Sequence, residues 1–335
     1  MKPTMKDVAE QADVSKSTVS QYLNKRYSYM SSATREKIRV AIEELGYYPN
    51  QIAKSLKQKN THVIAFICAT LSSRFSLELL ATIESVFQDA GYSVIIAATE
   101  DDPSKERSLI NSFIARQVDG IIVFPTEENR DFYQKLQQRK FPVVFIDRLL
   151  DNVEIPSVLL DNKRAGYEAT RELLKQGHQN IGIVTFPLGD NITTRVERIQ
   201  GYKQALAKFN IEMNTANVIS CLSNQVDTEL TSLLKQKNAP TGLVLTNDIL
   251  LEKTLMWVKR HHIKIPNELS LVGIDDVVFA QLFDPEITTL AQPITKIGVR
   301  AAKLLLKMLA TDSSLIVEDY QYAPVLKQRN SIKSL

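Results

Sequence analysis

Apolar positions in the first sixty residues recur at helical spacing and are broken by short polar turns. Val8 and Ala12 share one face of a helix that Thr4 can cap, with Asp7 three places on to answer the free backbone N–H groups. After a tight turn, Ser15 can cap a second helix that turns Val19, Tyr22 and Leu23 inward at i, i+3 and i+4 spacing. Its other face carries Ser17, Gln21 and Asn24 at i, i+4 and i+7, with Lys16 at the N-terminal end. A third helix starts at Ser31 with Thr34 as its N3 partner. It buries Ile38, Ala41, Ile42 and Leu45, and Gly46 ends it. Two short helices in this order, the second with a polar outer face, have the helix-turn-helix pattern, whose second helix enters a DNA major groove. The same spacing describes an ordinary helical hairpin with a solvated face, so spacing alone leaves both open. Residues 49–59 place Ile52, Ala53 and Leu56 on one short face. A helix of that length is marginal alone in water, so it needs a neighbour, or DNA and a second copy.

From His62 the period changes. Continuous apolar runs at 63–69, 94–97, 120–124 and 142–146 alternate with amphipathic helical stretches. The alternation restarts after Asp161, with runs at 181–184, 218–219, 243–245 and 269–274. Such runs between helices predict parallel sheets covered on both faces, here as two similar α/β lobes. A long apolar helix over 297–309 follows both, and periodicity does not fix what it packs on. Ligands of open parallel sheets bind beyond the carboxyl ends of the strands, so two facing lobes predict a cleft site.

At 335 residues, 44% of them hydrophobic, the chain suits two or three domains. The net charge of +3 is uneven: residues 1–60 hold 11 Lys/Arg against 6 Asp/Glu, and the remainder 30 against 32. Positive charge thus gathers in the helical segment, as phosphate contacts require. Cys68 and Cys221 sit in apolar surroundings without a second Cys or His at ligand spacing, which predicts neither a disulfide framework nor a metal site. No signal peptide precedes Thr4 and no apolar run approaches a membrane span, so a cytoplasmic, nucleoid-associated protein without membrane contact is expected.

The motif Asp7-Val8-Ala9, Val14-Ser15, Thr18-Val19-Ser20 and Asn24 is joined by Ser31, Thr34-Arg35, Leu45-Gly46-Tyr47 and Pro49-Asn50 with Ala53 and Leu56. In the body stand Asp147-Arg148, Asp161-Asn162, Gly201-Tyr202, Asn247-Asp248 and 272–276. Over essentially its whole length the chain resembles the lactose/galactose repressor (LacI/GalR) family. The resemblance implies a helix-turn-helix domain over 1–48 and a hinge helix and linker over 49–60. It further implies a first lobe from 61–160 with 291–318 and a second from 161–290 with 319–335, together resembling periplasmic sugar-binding proteins. A homodimer on a pseudo-palindromic operator in double-stranded DNA follows, with no cofactor.

The family's base-reading positions fall on Lys16, Ser17 and Gln21. Lys16 can donate to guanine O6/N7, and Gln21 can pair bidentately with adenine. Thr4, Ser15, Thr18, Asn24, Asn50 and Ala53 are the accompanying DNA contacts, with Ser15, Thr18 and Asn24 suited to phosphates; the lesser alternative for Thr18 and Asn24 is that they only cap or solvate the helix. Many relatives have arginine where Gln21 stands, which implies a different half-site. Asp13 replaces a glycine usual in the turn. Leu56 matches the family's minor-groove wedge, the alternative being a core leucine. In the cleft, Asp161, Arg198, Asn247 and Asp275 occupy effector-contact positions, chemistry suited to a polyhydroxylated ligand. The bland alternatives are a helix cap for Asp161, a turn for Asp275 and a solvated charge for Arg198. Arg74, Arg148 and Arg195 add positive charge that suits a sugar acid or phosphosugar. The stretch Tyr29-Met30-Ser31-Ser32 resembles regulators of the ketogluconate type.

The leading function is therefore a transcriptional repressor of carbohydrate-utilisation genes controlled by a sugar or sugar-acid effector. A sugar-responsive activator, or a solute-binding protein without DNA binding, is the alternative. An enzyme is not expected. Asp275-Asp276 and His261-His262 are adjacent pairs whose side chains point apart, and no nucleophile elbow or glycine-rich phosphate loop is present.

Overall fold

Capping chemistry sets the ends of the N-terminal helices. In the computed structural model, which describes residues 3–28, 30–48, 60–188, 192–310 and 318–335, helix α1 spans Met5–Gln11. Thr4 Oγ1 accepts from the Asp7 N–H while Asp7 Oδ2 accepts from the Thr4 N–H at 2.7 Å. Helix α2 (Lys16–Leu23) begins at Ser15, whose hydroxyl accepts from the Thr18 N–H at 3.1 Å. The turn between them holds Asp13 at φ 52°, left-handed backbone that a short polar side chain tolerates. Helix α3 (Ser32–Leu45) is capped by Ser31 and closed by Gly46 at φ 57°. Val8, Ala12, Val19, Ile38 and Ala41 fill the space between the three helices, with Tyr22, Leu23, Ile42 and Leu45 packed round them. This unit ends at Thr61.

The second unit, His62–Leu335, contains two six-stranded sheets. The first lobe is built from β1 (Val63–Cys68), α4 (Arg74–Asp89), β2 (Ser93–Ala98), α5 (Pro103–Ala115), β3 (Gly120–Val123), α6 (Arg130–Gln138), β4 (Val143–Ile146) and β5 (Ser157–Leu160). The second runs α7 (Asn162–Lys175), β6 (Ile181–Thr185), α8 (Thr193–Lys208), β7 (Val218–Ser220), α9 (Val226–Leu234), β8 (Gly242–Leu245), α10 (Asp248–Arg260), β9 (Ser270–Ile274), α11 (Val278–Leu282) and β10 (Thr288–Ala291). Helix α12 (Ile294–Ala310) and strands β11 (Asp319–Tyr322) and β12 (Val325–Lys327) follow. Strand order is β2-β1-β3-β4-β5-β11 in one sheet and β7-β6-β8-β9-β10-β12 in the other. Pairing is parallel except between β10 and β12. Successive residues of β1 enter opposite cores. Ile64, Phe66 and Cys68 pack with Leu79 and Ile83 of α4 and Ala301 and Leu305 of α12. Ala65 and Ile67 pack with Ile110 and Tyr133 beneath α5 and α6. Burial on both faces is why the strands read as unbroken apolar runs.

The periodicity left α12 without a partner; it lies against α4 in the first lobe. The boundary expected at 318 needs correction. Strand β11 pairs with β5 from Asp319↔Ser157 to Tyr322↔Leu160, so residues 319–322 extend the first lobe and only those beyond them belong to the second. Asp319 and Gln321 are exposed on this edge strand while Tyr320 and Tyr322 pack inward, a weak alternation that does not announce its sheet. The passage near 291 also shifts slightly, because Ala291 still pairs with Val325 in the second lobe. Three chain segments therefore link the lobes, and the Asp161 N–H donates to the Tyr322 carbonyl at 2.8 Å, tying two of them together.

Candidate functional site

On α2 the outward residues are Lys16, Ser17 and Gln21, all exposed, while Val19 is fully buried beneath them. The helix geometry thus gathers the three expected base-reading side chains on one accessible face. The expected backbone contacts are busier. Ser15 Oγ lies 2.6 Å from Ser17 Oγ and 2.8 Å from Thr18 Oγ1. Asn24 Nδ2 donates to the Ser20 carbonyl at 2.8 Å, and the Thr4 hydroxyl donates to Asp7 at 2.8 Å. These groups hold the helix ends in place. Asn50, Ala53 and Leu56 lie outside the described residues, as does Tyr29 of the 29–32 stretch.

In the two-lobed unit the candidate residues stand at the carboxyl ends of the parallel strands. Asp147-Arg148 follows β4, Asn247 follows β8 and Asp275 follows β9. Asp147 (φ 67°) and Asp275 (φ 81°) occupy matching posts in the two lobes, each on left-handed backbone, a conformation retained where surrounding structure enforces it. Asp275 accepts from Gln292 Nε2 at 2.6 Å and from the Asp248 N–H at 3.2 Å. Burial, followed by repulsion from the Asp248 carboxylate, pushes its carboxyl up to about 7 against the pull of Arg198. Neighbouring Asp276 behaves oppositely. Burial raises it, but Arg329, 2.7 Å away, and the Thr289 hydroxyl outweigh that and hold it below the usual carboxylate range. Asp275, Phe75, Glu78 and Gln292 line a cavity of about 400 Å³.

Arg198 is 6% exposed. Its Nε donates to Asn162 Oδ1 at 2.9 Å and its Nη1 to the Thr246 carbonyl. Close packing makes this reach possible: a Cβ on Gly166 would strike the Arg198 carbonyl, and one on Gly201 would strike that of Lys163. Asp161 and Asn247 each cap a helix, accepting from the Arg164 N–H at 2.9 Å and the Leu250 N–H at 2.8 Å. The capping alternative for Asp161 is therefore realised.

Among the described residues, polar contacts join the lobes directly, the Leu149 N–H donating to the Thr193 hydroxyl at 3.2 Å and two carboxylates doing more. Asp248, the first residue of α10, accepts from the Ser73 hydroxyl at 3.0 Å and from the Arg74 and Phe75 N–H groups at 2.6 and 3.3 Å. A second-lobe carboxylate thus caps the first-lobe helix α4. In the other contact, Asp101 bonds Arg148 at 2.7 Å and Arg195 of α8 at 2.5 Å. The structure brings Arg148 and Arg195 together on Asp101, but the side chain of Arg74 is exposed and lines a different cavity, about 520 Å³, with Leu71, Met256 and Phe283.

Two family models match most of the chain. One described as "Bacterial regulatory proteins, lacI family" matches residues 4–50, and "Periplasmic binding proteins and sugar binding domain of LacI family" matches 61–322. The chain belongs to the LacI family. This LacI-family chain is a helix-turn-helix transcriptional regulator, and its curated relatives carry that description. It is 45% identical to the probable HTH-type transcriptional regulator EndR of Paenibacillus polymyxa over 339 residues, covering 100% of each chain. It is 30% identical to the HTH-type transcriptional regulator KdgR of Bacillus subtilis, covering 92% of each. Its fold matches the Lac repressor dimer bound to operator and the anti-inducer ONPF, with a TM-score of 0.86 at 23% identity, over 99% of this chain and 100% of that one. Among the described residues, no helix is long and apolar enough to cross a membrane.

Asp101, Asn162, Thr246, Asp248 and Gln292 are the site members that the sequence did not mark as ligand or lobe contacts. Asp248 and Asn162 belong to family motifs, but their partners lie 175 and 36 residues away, which no local spacing reveals.

Proposed function

We propose that this LacI-family regulator is a repressor of carbohydrate-utilisation genes, and that a sugar or sugar acid held between its lobes controls its grip on operator DNA. The observation that carries this is the convergence of the Arg198 guanidinium, reaching from α8, with Asn247 and Asp275 at strand ends on the lobe boundary, beside direct lobe-to-lobe hydrogen bonds. A guanidinium, an amide and a carboxyl can orient the paired hydroxyls of a carbohydrate. A ligand that prefers one lobe arrangement shifts the equilibrium by its differential affinity, typically 1–3 kcal/mol of coupling. Residues 49–60 connect that change to the DNA-reading unit, with Leu56 as the minor-groove wedge and Asn50 and Ala53 as further DNA contacts. Lys16, Ser17 and Gln21 read base edges, while Thr4, Ser15, Thr18 and Asn24 set the register on phosphates.

The operator-binding form is a homodimer, since paired helix-turn-helix units read two half-sites. Met256, Val278 and Leu282 are exposed apolar residues of the second lobe suited to that contact. The test is operator selection from genomic fragments, followed by anisotropy titration with and without a carbohydrate panel. An inducer lowers operator affinity roughly 5- to 150-fold, the span of ordinary coupling energies. An affinity unmoved by every carbohydrate that raises the melting temperature sinks induction.

A further inference from the structure

Asp101 ends the β2–α5 loop on two successive left-handed residues, Glu100 at φ 56° and Asp101 at φ 58°. Its carboxylate is shared between arginines of different lobes. One oxygen takes Arg148 Nη2 at 2.7 Å and the other Arg195 Nη2 at 2.5 Å. Burial works to raise this carboxyl, yet the two guanidinium charges outweigh it and hold it below the usual carboxylate range. The seat is rigid. Arg195 also donates to the Pro187 carbonyl at 3.0 Å and lies over the Phe186 ring, 5.4 Å from its centroid.

Asp101 does not satisfy the seat fully. Arg148 is 5% exposed, and its Nη1 and Nε are buried without a hydrogen-bond acceptor. Among the described residues, the other carboxylate paired with it is that of Asp147, 3.6 Å from Nε, and burial raises the Asp147 carboxyl, which weakens it as a counter-ion. Buried donors of this kind call for an oxygen acceptor. Two arginine forks facing one bridging carboxylate recognise planar oxyanions. A neutral hydroxyl cannot replace the bridge, because charge-assisted bonds are about twice as strong as neutral ones.

We propose that Arg148 and Arg195 form the seat for the carboxylate of an acidic sugar, and that Asp101 is an internal competitor for that seat. This rests on the effector-cleft reading above and adds the charge class of the ligand. When the sugar carboxylate enters, it takes over the two guanidinium groups and Asp101 withdraws. The lobes are then bridged by ligand, so acid binding and lobe arrangement are linked. Asp101 sets the strength of acid recognition without itself touching the sugar ring.

The test is calorimetric titration of the full chain and of Asp101→Asn with D-glucuronate, D-glucose and glucose 6-phosphate. Removing the competing charge is expected to tighten D-glucuronate at least tenfold and to leave D-glucose unchanged. Adding Arg195→Gln removes the gain. No gain for D-glucuronate, or an equal gain for D-glucose, overturns the proposal. A gain confined to glucose 6-phosphate overturns the carboxylate assignment. Circular dichroism checks that each variant folds, and Asp101→Ser serves the same titrations if Asp101→Asn does not. Operator anisotropy of the unaltered chain with neutral sugars tests the regulator reading separately. A neutral-sugar response without any acid gain in the variant rejects the Asp101 assignment alone.

Discussion

Arg198 has a buried guanidinium that donates to an amide oxygen and a backbone carbonyl, with no ion pair among the described residues. An arginine held by neutral acceptors keeps its charge for a ligand. Arg198→Ala should therefore abolish carbohydrate-dependent thermal shifts while costing about 1–3 kcal/mol of stability, the usual result of stranding buried partners; urea unfolding with and without ligand separates the two effects. Asp275 gives a pH signature. Burial and the Asp248 carboxylate raise its folded value from the ordinary 3.8 to about 7, so its contribution is full below the lower value and is lost as pH rises through the upper one. Melting of the native chain should fall more steeply between pH 4 and 7 than that of Asp275→Asn; identical slopes would reject a raised Asp275. The sequence named both residues through motif positions. It did not reveal that Asp275 is repelled by Asp248 or that Arg198 makes no ion pair among the described residues, because those facts depend on groups brought in from other strands.

Among the elements, the α7–α8 contact is the one that positions the site. Gly166 and Gly201 let the two backbones touch, and the Arg198 side chain reaches Asn162 from there. Gly201→Ala should destabilise the unit by about 2–4 kcal/mol through overpacking against a backbone that cannot yield. Chemical denaturation measures it, and a loss under 1 kcal/mol would mean the helices can separate freely. The cap that Asp248 places on α4 joins elements of different lobes. Asp248→Ala strands the Ser73 hydroxyl and two N–H groups and should cost about 2–3 kcal/mol. Within the first lobe, the strands at 63–69 and 120–124 were legible because burial on both faces leaves a continuous apolar run, and edge strand β2 was legible from its apolar run at 94–97 although none of its residues is fully covered. Strands β10 and β11 were not: Thr288-Thr289 and Asp319-Tyr320-Gln321-Tyr322 mix polar and apolar residues, and their membership comes from pairing with β9 and β5.

For the whole molecule, the uneven charge matters more than the total. With net positive charge in residues 1–60 and a slight acidic excess beyond, operator affinity should fall steeply with salt through release of DNA counterions, and effector binding should respond far less. A weak salt slope for DNA binding would argue against phosphate contacts by this segment. Association should depend on the second lobe: Leu282, 79% exposed, replaced by Glu should shift sedimentation toward monomer and weaken operator binding together. A dimer unaffected by Leu282→Glu places the contact elsewhere.

By itself the sequence determined what local chemistry can encode. Helix caps at Thr4, Ser15 and Ser31 come from hydroxyls a few residues from the N–H groups they satisfy. The alternation of apolar runs and helices comes from the solvent exposure of each face, and the reading face of α2 from a period of 3.6 residues. Only the tertiary structure decided that residues 319–322 return to the first sheet, that Asp248 caps a helix of the opposite lobe, and that Asp101 sits between two arginines 47 and 94 residues away. Charge pairs and edge strands are chosen by where separate segments meet, and chain spacing carries no record of that meeting.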